Sequence, residues 1–223
     1  MRRRVVCDAS ALISMSMNCM LPVLVDLSER VDFVIPESVV DEVINVPRDI
    51  RRYKLGALRF SALMENGIIS AEKPNGEQTQ KIIDTANSIF WMKHRPIKVV
   101  HGGEAEALVL AKETNGVLLM DERTLRFLVE SPENMKGLLQ RRMNREIYEN
   151  RDNMRAFQSL TQGVPIIRSS EVVAIAYEKG VLEKYFGGGG REVLESCLWA
   201  LKFSGCSLTQ EEIEQYLRLG GLN

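Results

Sequence analysis

Acidic side chains that could form a metal site occur at four separate places in the chain. Asp8 and the adjacent pair Asp121 and Glu122 each follow a short apolar run, whereas Glu42 and Glu104 lie in stretches with helical spacing. Their wide separation gives no local ligand spacing, so only the fold can bring them together. Two carboxylates about 4 Å apart repel by roughly 4 kcal/mol at an effective dielectric of 20. An oxygen-rich cluster of this kind favours Mg²⁺ or Mn²⁺, ions that bind phosphates, activate water and stabilise a leaving oxygen.

Each of these acids also has an ordinary structural explanation. Asp8 could cap a helix that begins near Ser10, and Asp121 could close a turn or cap a helix. Glu104 suits a first helical turn, where the helix dipole favours negative charge, and Glu42 could simply face solvent. Taken one at a time, the acids therefore do not indicate a site.

Short β-branched runs alternate with longer stretches of helical periodicity, which predicts an α/β protein with a parallel sheet. In such sheets ligands collect at the carboxyl ends of the strands. The acids that directly follow a strand are therefore the first candidates for a site. The predicted strands cover residues 5–7, 33–35, 68–69, 117–120 and 165–167.

Helices are predicted between these strands. Pro36 suits the first turn of one helix because its φ angle is fixed near the helical value, and Gly116 suits the end of another. The predicted helices cover residues 37–43, 50–65, 78–91 and 103–115.

The second half of the chain has a different character. Apolar residues at near-helical spacing, with Lys and Arg between them, predict a mildly basic helical insertion at about residues 131–162. The run Gly187–Gly190 is a candidate hinge. An apolar stripe follows it, and then a last helix opened by Ser207 or Thr209, so we expect a helical hairpin whose stripe packs against the same chain.

Composition excludes several classes of protein. The chain has 223 residues, 45% of them hydrophobic, with 29 Lys plus Arg against 30 Asp plus Glu, which is typical of a globular protein and unlike a strongly basic nucleic-acid coat. Two histidines and four cysteines without a C-x-x-C motif argue against a structural zinc site. Scattered thiols suit a reducing cytosol, and the longest charge-free stretch, residues 9–25, is too short and too polar to span a membrane. We therefore expect a cytoplasmic protein without a membrane segment.

Four segments, VVCDASAL, PESVVDEV, GGEAEALVLA and LLMDERTLR, follow one another in an order that resembles the PIN-domain nuclease family. The resemblance covers roughly residues 3–130 and resumes at about Val164–Gly180. It implies a three-layer α/β/α fold around a central parallel sheet, with extra helices at the C-terminal end. It also implies an acidic pocket that holds Mg²⁺ or Mn²⁺ and, in many members, cuts RNA. On this basis we expect a nuclease domain over residues 1–186 and a C-terminal helical appendage over residues 187–223.

The resemblance carries the family's acids onto particular positions. Asp8, Glu42 and Glu104 match the first three, although the third is more often Asp in the family. Glu106 is the rival for the third position, but it lies about 200° around a helix from Glu104, so we do not expect both to face the pocket. The fourth acid is Asp121 or Glu122, with Asp121 slightly favoured.

Other residues are candidates for supporting roles near these acids. Ser10 matches a small polar helper beside the first acid, while Arg123 or Arg126 is a candidate for holding the acids or a phosphate. The histidines are not required as bases.

A nearly neutral protein needs a local positive surface to meet RNA phosphates. The segment formed by Arg48, Arg51, Arg52, Tyr53 and Lys54 is the first candidate, because its tyrosine could stack on an unpaired base. Residues 2–4 and 141–155 are the other candidates.

The expected partners are an RNA substrate and, by resemblance, a second copy of the chain in a homodimer. Many toxin members of the family have an antitoxin, although a housekeeping role in RNA processing is about as plausible here. Two alternatives to a ribonuclease stay open. One is an inactive PIN-like protein that binds RNA or acts as a scaffold. The other is a Mg²⁺-dependent phosphatase with Asp8 as the nucleophile, against which Ser10 replaces the second acid of the D-x-D motif.

Overall fold

The computed structural model describes residues 2–188 and 190–219, and within them a five-stranded parallel sheet, in the order β3-β2-β1-β6-β8, forms the centre. A second, three-stranded antiparallel sheet has the order β5-β4-β7. The strands are β1 (Arg3–Cys7), β2 (Val31–Pro36), β3 (Ile69–Glu72), β4 (Phe90–Met92), β5 (Arg95–Pro96), β6 (Val117–Leu119), β7 (Tyr148–Glu149) and β8 (Ile166–Ile167).

Helices cover both faces of the central sheet. They are α1 (Ala9–Met17), α2 (Leu21–Leu27), α3 (Glu37–Val40), α4 (Val46–Arg48), α5 (Lys54–Glu65), α6 (Gly76–Ala86), α7 (Gly102–Glu113), α8 (Arg123–Glu130), α9 (Pro132–Met143), α10 (Arg151–Thr161), α11 (Ser169–Glu178), α12 (Val181–Phe186), α13 (Gly190–Phe203) and α14 (Gln210–Leu219). A π-helical segment, Asp41–Asn45, joins α3 to α4.

Successive side chains of the central strands enter two different hydrophobic cores. In β1, Val5 and Cys7 belong to the core shared with α1, α5 and α13, whereas Val6 belongs to the core shared with α6, α7 and α10. The side chains of β2 alternate in the same way, with Phe33 in the first of these cores and Val34 in the second. This alternation buries both faces of the sheet, as parallel sheets require, and produces the three-layer α/β/α arrangement. The predicted fold class is therefore confirmed.

All five predicted strands occur in the central sheet, but several helix boundaries were wrong. The helix predicted over 50–65 begins only at Lys54, and the helix predicted over 78–91 ends at Ala86. Its last predicted residues instead form strand β4, which pairs with β7 from inside the predicted insertion. The insertion at about 131–162 is thus two helices separated by a short strand. Pairing across so long a stretch of chain leaves no local periodicity to detect.

The C-terminal helices pack onto the first core. Leu194, Leu198 and Leu201 of α13 are buried there together with residues of β1 and α1. Helix α14 is opened by Thr209, whose hydroxyl accepts from the backbone N–H of Glu212 at 3.1 Å, and not by Ser207. Gly189 of the candidate hinge lies outside the described residues, as do residues 220–223 of the appendage.

A buried arginine ties this appendage to the end of the central sheet. The Arg168 guanidinium donates to Glu171 at 2.7 Å, to Glu212 at 2.8 Å and to the Ser207 carbonyl oxygen at 2.8 Å. Burial by itself raises the pKa of Glu171, but hydrogen bonds from Arg168 and Tyr216 and the charge of Arg168 lower it below its ordinary value. The ion pairs therefore join β8, α11 and the C-terminal helix.

No single helix among the described residues is long and apolar enough to cross a membrane. Helices α1 and α2 meet the length and composition criteria only when taken together, and they are bent by 114° at the break between them.

Candidate active site

The carboxyl ends of β1 and β6 bring the first and last acidic segments together. These two parallel strands are neighbours, and β2 lies on the other side of β1, so the chain reverses its order in the sheet between β1 and β6. Asp8 directly follows β1, and its backbone N–H donates to the Leu119 carbonyl oxygen at 2.9 Å. Asp121 and Glu122 follow β6. The pairing of β1 with β6 therefore brings together acids that are more than one hundred residues apart in the sequence.

Ser10 connects the two strand exits. Its hydroxyl donates to Oδ2 of Asp8 at 2.5 Å and accepts from the backbone N–H groups of Asp121 at 3.1 Å and Glu122 at 3.2 Å. A serine hydroxyl has one donor and two acceptor positions, so its capacity is fully used. The backbone N–H of Ser10 also donates to Asp8 Oδ2 at 3.0 Å, which makes Asp8 the N-cap of α1. The structure therefore holds the Asp8 carboxylate in one orientation.

Asp8 is a buried carboxylate without a cationic partner among the described residues. Burial raises its pKa, hydrogen bonds from Ser10 and Ala9 lower it, and the charge of Glu122 raises it again, with a net increase above the ordinary value. Only 4% of the residue is exposed. A proton or a cation that reaches this buried carboxylate would therefore stabilise it.

Asp121 and Glu122 differ sharply in their surroundings. Both oxygens of the buried Asp121 carboxylate accept from Ser169, from its backbone N–H at 2.8 Å and its hydroxyl at 2.6 Å. Burial, and next the charge of Asp121, raise the pKa of the adjacent Cys206 thiol to about 12. Glu122 is half-buried and caps α8, with Oε2 accepting from the Leu125 N–H at 2.8 Å. Its charge also raises the pKa values of Asp8 and Glu104.

Glu104 is a partly buried acid whose pKa is raised well above its ordinary value. It lies in the first turn of α7, where its Oε2 accepts from the backbone N–H of His101 at 2.9 Å. Burial first, and then the charges of Glu122, Asp8 and Glu42, raise its pKa to about 7 against the lowering effect of this hydrogen bond. The acid from the middle of the chain is therefore close enough to the strand-exit acids to interact with them.

Glu42 lies over the start of α7. A Cβ atom at Gly103 would lie 2.5 Å from Oε1 of Glu42, so the two elements meet where α7 has no side chain. Partial burial raises the pKa of Glu42, as do the charges of Asp8 and Glu106, while His101 lowers it. On a helix, Glu104 is about 100° from Gly103 in one direction and Glu106 about 60° in the other.

Both rival residues consequently border Glu42. Glu104 interacts with Asp8 and Glu122, whereas Glu106 accepts from the Ser38 hydroxyl at 2.5 Å on the opposite side of Glu42. That Glu104 and Glu106 do not both face the pocket stays a prediction, because Glu42 lies near enough to interact with each of them.

A family model, DUF3368, with the description PIN domain, matches residues 4–131, which is more than half of the chain. The chain belongs to the PIN-domain family. No curated protein sequence and no solved structure matches the chain. The matched residues of the PIN domain include every acid described above, from Asp8 to Glu122.

The acids of this PIN domain lack cationic partners. In the described part of the chain, no Lys or Arg forms an ion pair with Asp8, Glu42, Glu104 or Glu122. The described residues also contain no group of three His, Cys, Asp or Glu side chains placed to hold a metal ion without rearrangement. The carboxylates are thus near enough to repel one another, although they do not form a ready-made metal centre.

The two candidate arginines of the PIN domain lie elsewhere. Arg123 is exposed, and its guanidinium is 4.8 Å from the centre of the Phe127 ring. Arg126 pairs with Glu130 at 3.5 Å and donates to the Ser207 hydroxyl at 3.1 Å, so it contacts the C-terminal tail. Neither is paired with the acids of the site, and binding of a phosphate by either arginine stays a prediction.

The predicted RNA-binding segment is exposed along its whole length. Arg48 ends the short helix α4, which directly follows the π-helical segment that carries Glu42, and the remaining residues lead into α5. The guanidinium of Arg52 is 5.6 Å from the centre of the Tyr53 ring, and Tyr53 is 48% exposed. The exposed residues of this basic segment are Arg48, Arg51, Arg52, Tyr53 and Lys54.

Three residues that shape the site were not predicted. Gly103 leaves room for Glu42, Ser38 holds Glu106, and Ser169 engages Asp121. The paired glycines before Glu104 were a visible signal of close approach, because a residue without a Cβ atom lets other atoms lie close to the backbone. The serines carried no such signal, since surface serines are common in any chain.

Proposed function

We propose that the protein is a metal-dependent ribonuclease that hydrolyses RNA phosphodiester bonds. Its active site is formed by Asp8, Glu42, Glu104 and Glu122. One observation carries this proposal. At the carboxyl edge of the sheet, burial and the charges of neighbouring acids, Glu122 among them, raise the pKa values of Asp8, Glu42 and Glu104, and within the described residues none of the four acids is paired with Lys or Arg. Membership of the PIN-domain family supports a nuclease at this edge.

The chemistry of this donor set suits Mg²⁺ or Mn²⁺. The four residues present only carboxylate oxygens, which hard divalent cations prefer, and bringing them together without a cation is unfavourable. When bound, such an ion polarises the scissile phosphate and lowers the pKa of a bound water.

The residues around this position have separate roles. Ser10 orients Asp8, while the longer side chains of Glu42 and Glu104 supply oxygens that can move by rotation about their χ angles. In the metal-free protein Glu104 has a pKa of about 7, and a bound divalent cation would favour its ionised form. Gly103 leaves the space at the start of α7 in which the Glu42 carboxylate lies, so the second acid can lie beside the third.

We assign the fourth acid to Glu122 and a structural role to Asp121. Both oxygens of Asp121 already accept hydrogen bonds from Ser169, so the carboxylate is engaged on the side of the C-terminal tail. Glu122 interacts with the charges of Asp8 and Glu104. This assignment reverses the slight preference for Asp121 that the sequence suggested.

An RNA-binding protein without nuclease activity is the second candidate. The absence, among the described residues, of three side chains already placed to hold a metal favours it. The two functions differ in whether the acids take up Mn²⁺ and whether turnover depends on that ion.

The deciding experiment measures cleavage and metal uptake on the same preparations. We expect the wild-type protein to cut a panel of single-stranded and structured RNAs with Mn²⁺ and to stop when chelator is added. Asp8→Asn and Glu104→Gln should each reduce the rate by at least about 100-fold, because each removes a carboxylate from the set that would hold the metal. Glu77→Gln is the matched control, because Glu77 is also a first-turn glutamate but belongs to α6.

Thermal denaturation with and without Mn²⁺ separates the two candidate functions. The ion should raise the melting temperature of the wild-type and Glu77→Gln proteins and have a smaller effect on Asp8→Asn. If Mn²⁺ neither stabilises the wild-type protein nor supports cleavage of any RNA in the panel, the ribonuclease proposal is wrong and the non-catalytic function replaces it.

A further inference from the structure

The small antiparallel sheet is built from two distant parts of the chain. Strands β4 and β5 form a hairpin, and β7 pairs with β4 from the segment between α9 and α10. Phe90 of β4 is fully buried in the second core, so one face of this sheet rests on the domain. Side chains alternate along a strand, and the neighbouring residue Trp91 therefore points to the other face.

A row of three flat side chains crosses that outer face. Trp91 is directly opposite Pro96 on one side and Tyr148 on the other, so the three side chains lie on the same face of three adjacent strands. Tyr148 is 63% exposed. The Trp91 indole N–H donates to the Ser88 carbonyl oxygen at 2.9 Å, which holds the ring in place. The row therefore consists of two aromatic rings and a proline ring, with Pro96 and Tyr148 exposed and Trp91 half-buried between them.

Positive charge surrounds this row. Lys93 and Arg95 supply this charge from the exposed hairpin, where the exposed His94 lies between them, and Arg145 approaches from the segment before β7. Among the described residues none of these four is in an ion pair, and Glu146 is the one acid that lines the cleft beside them. The surface therefore attracts anions.

Two of these residues form the hairpin turn in an unfavourable backbone conformation. Lys93 and His94 have φ angles of 46° and 65°, in the left-handed region where Asn-Gly is the usual two-residue turn. A residue with a Cβ atom in this region is less favourable by about 1–2 kcal/mol. Strain of this kind is often found where a side chain has a function, because a sequence free of that function would place glycine there.

The cleft formed by these residues has a volume of about 610 Å³ and is lined by Trp91, Met92, Lys93, His94, Arg145, Glu146 and Tyr148. Aromatic rings that accept bases, together with unpaired cations that accept phosphates, are the features by which proteins hold single-stranded nucleic acid. We propose that this surface, the row Pro96, Trp91 and Tyr148 with its surrounding cations, binds single-stranded RNA next to the cleavage site. This inference rests on the proposed ribonuclease function for the identity of the strand.

The connection to the acids is short and fixed. His101 is five positions after Pro96 in the chain, so the two Cα atoms are at most about 17 Å apart. Asn87 holds the segment between them, because its Oδ1 accepts from the N–H groups of Val99 and Val100 and its Nδ2 donates to the Val100 carbonyl oxygen. At about 3.4 Å per stacked nucleotide, no more than about five nucleotides span the distance from Pro96 to His101, whose N–H donates to Glu104.

The test measures binding without turnover and without relying on metal. The chain contains two tryptophans, so Trp199→Phe leaves Trp91 as the single emitter, and Asp8→Asn prevents cleavage. We titrate this double variant with a 12-nucleotide oligouridylate and follow Trp91 emission, which should be quenched on stacking. The reciprocal variant, Trp91→Phe with Trp199 retained, should show little quenching.

Two further variants test the affinity of the surface. Tyr148→Ala should weaken binding about five-fold or more, the range typical of the removal of one base stack. Lys93→Glu combined with Arg145→Glu should weaken it further and reduce its salt dependence. The matched controls are Phe203→Ala, an 80% exposed aromatic residue on α13, and the pair Lys179→Glu and Arg191→Glu, which makes the same change in charge elsewhere.

The outcomes separate this inference from the ribonuclease proposal. Quenching of Trp91 with loss of affinity in Tyr148→Ala supports the RNA-binding surface even if no RNA is cleaved. Metal-dependent cleavage with unchanged Trp91 emission and unchanged affinity in Tyr148→Ala overturns the surface and leaves the active site intact. Equal loss of affinity in Tyr148→Ala for a fully paired RNA duplex would also overturn it, because paired bases are not available for stacking.

Discussion

Gly103 and Glu42 are in direct contact across two helical elements: a Cβ atom on Gly103 would lie 2.5 Å from Oε1 of Glu42. Real Cβ atoms do not approach another heavy atom so closely, so any side chain at this position forces the glutamate to move. The contacted atom is the end of a flexible side chain and not backbone. The absence of a side chain at Gly103 therefore determines where the Glu42 carboxylate can lie, whereas the fold does not depend on it.

Gly103→Ala should separate activity from stability. We expect the free energy of unfolding to stay unchanged or to rise by up to about 1 kcal/mol, because alanine is favoured over glycine in helices. Metal-dependent RNA cleavage should fall by ten-fold or more, since Glu42 is displaced from Glu104 and Asp8. Urea denaturation and cleavage rates on the same samples check this. Gly137→Ala in α9 is the control, because a Cβ atom there meets nothing within 4 Å.

Asp121 and Glu122 should respond oppositely to substitution. Asp121→Ala removes the acceptor for two Ser169 donors in a buried position, so we expect a loss of about 1–3 kcal/mol of stability with cleavage retained by the folded protein. Glu122→Gln keeps an oxygen that can cap α8 and should abolish cleavage with little loss of stability. Loss of cleavage in a fully folded Asp121→Ala protein, with normal cleavage by Glu122→Gln, would reverse the assignment.

Glu104 should make the metal-free protein less stable as pH rises. Its pKa is about 7 in the folded protein against an ordinary value of 4.5, so between these values the folded state holds a proton that the unfolded chain has released. Stability is therefore greatest below pH 4.5 with respect to this group and is lost as pH rises through 7. The loss is at most on the order of 3 kcal/mol, and less because Glu104 is partly exposed.

Urea denaturation at pH 5 and pH 8 in the presence of chelator measures this effect. The difference in unfolding free energy between the two pH values should be smaller in Glu104→Gln than in the wild-type protein. Parallel pH profiles for the two proteins would show that burial of Glu104 does not penalise its charged form.

The basic segment Arg48–Lys54 should contribute to RNA binding by pairing with phosphates. Arg51→Glu combined with Arg52→Glu should weaken binding of a single-stranded RNA to the Asp8→Asn protein. The slope of log affinity against log salt should fall by roughly 0.7 for each phosphate that the variant no longer neutralises. An unchanged slope, equal to that of the control pair Lys179→Glu and Arg191→Glu, would remove this segment from the binding surface.

The parallel sheet could be predicted from the sequence because its strands are short, continuous apolar runs. A sheet that is buried on both faces requires such runs. Asp8 and the pair Asp121 and Glu122 stand directly after such runs, so their meeting at one edge follows from strand direction alone. Glu42 and Glu104 were candidates through family resemblance, since helical spacing alone does not show which face of a helix meets the sheet.

The small antiparallel sheet was missed for a different reason. Trp91 and Tyr148 are opposite each other across two short strands, and pairing between segments so far apart in the chain leaves no periodic signal in either of them. The preceding helix was accordingly extended too far, through residues that belong to the sheet.

The amino-acid sequence by itself determined the order of strands and helices, the acids at the strand exits and the lack of any large excess of charge. The tertiary structure decided how individual side chains are used: Asp121 binds Ser169, Glu122 interacts with Asp8, and Glu42 occupies the space left by Gly103. Backbone periodicity is a local property that neighbouring residues specify, whereas the direction and partner of a carboxylate depend on atoms that folding brings from distant parts of the chain.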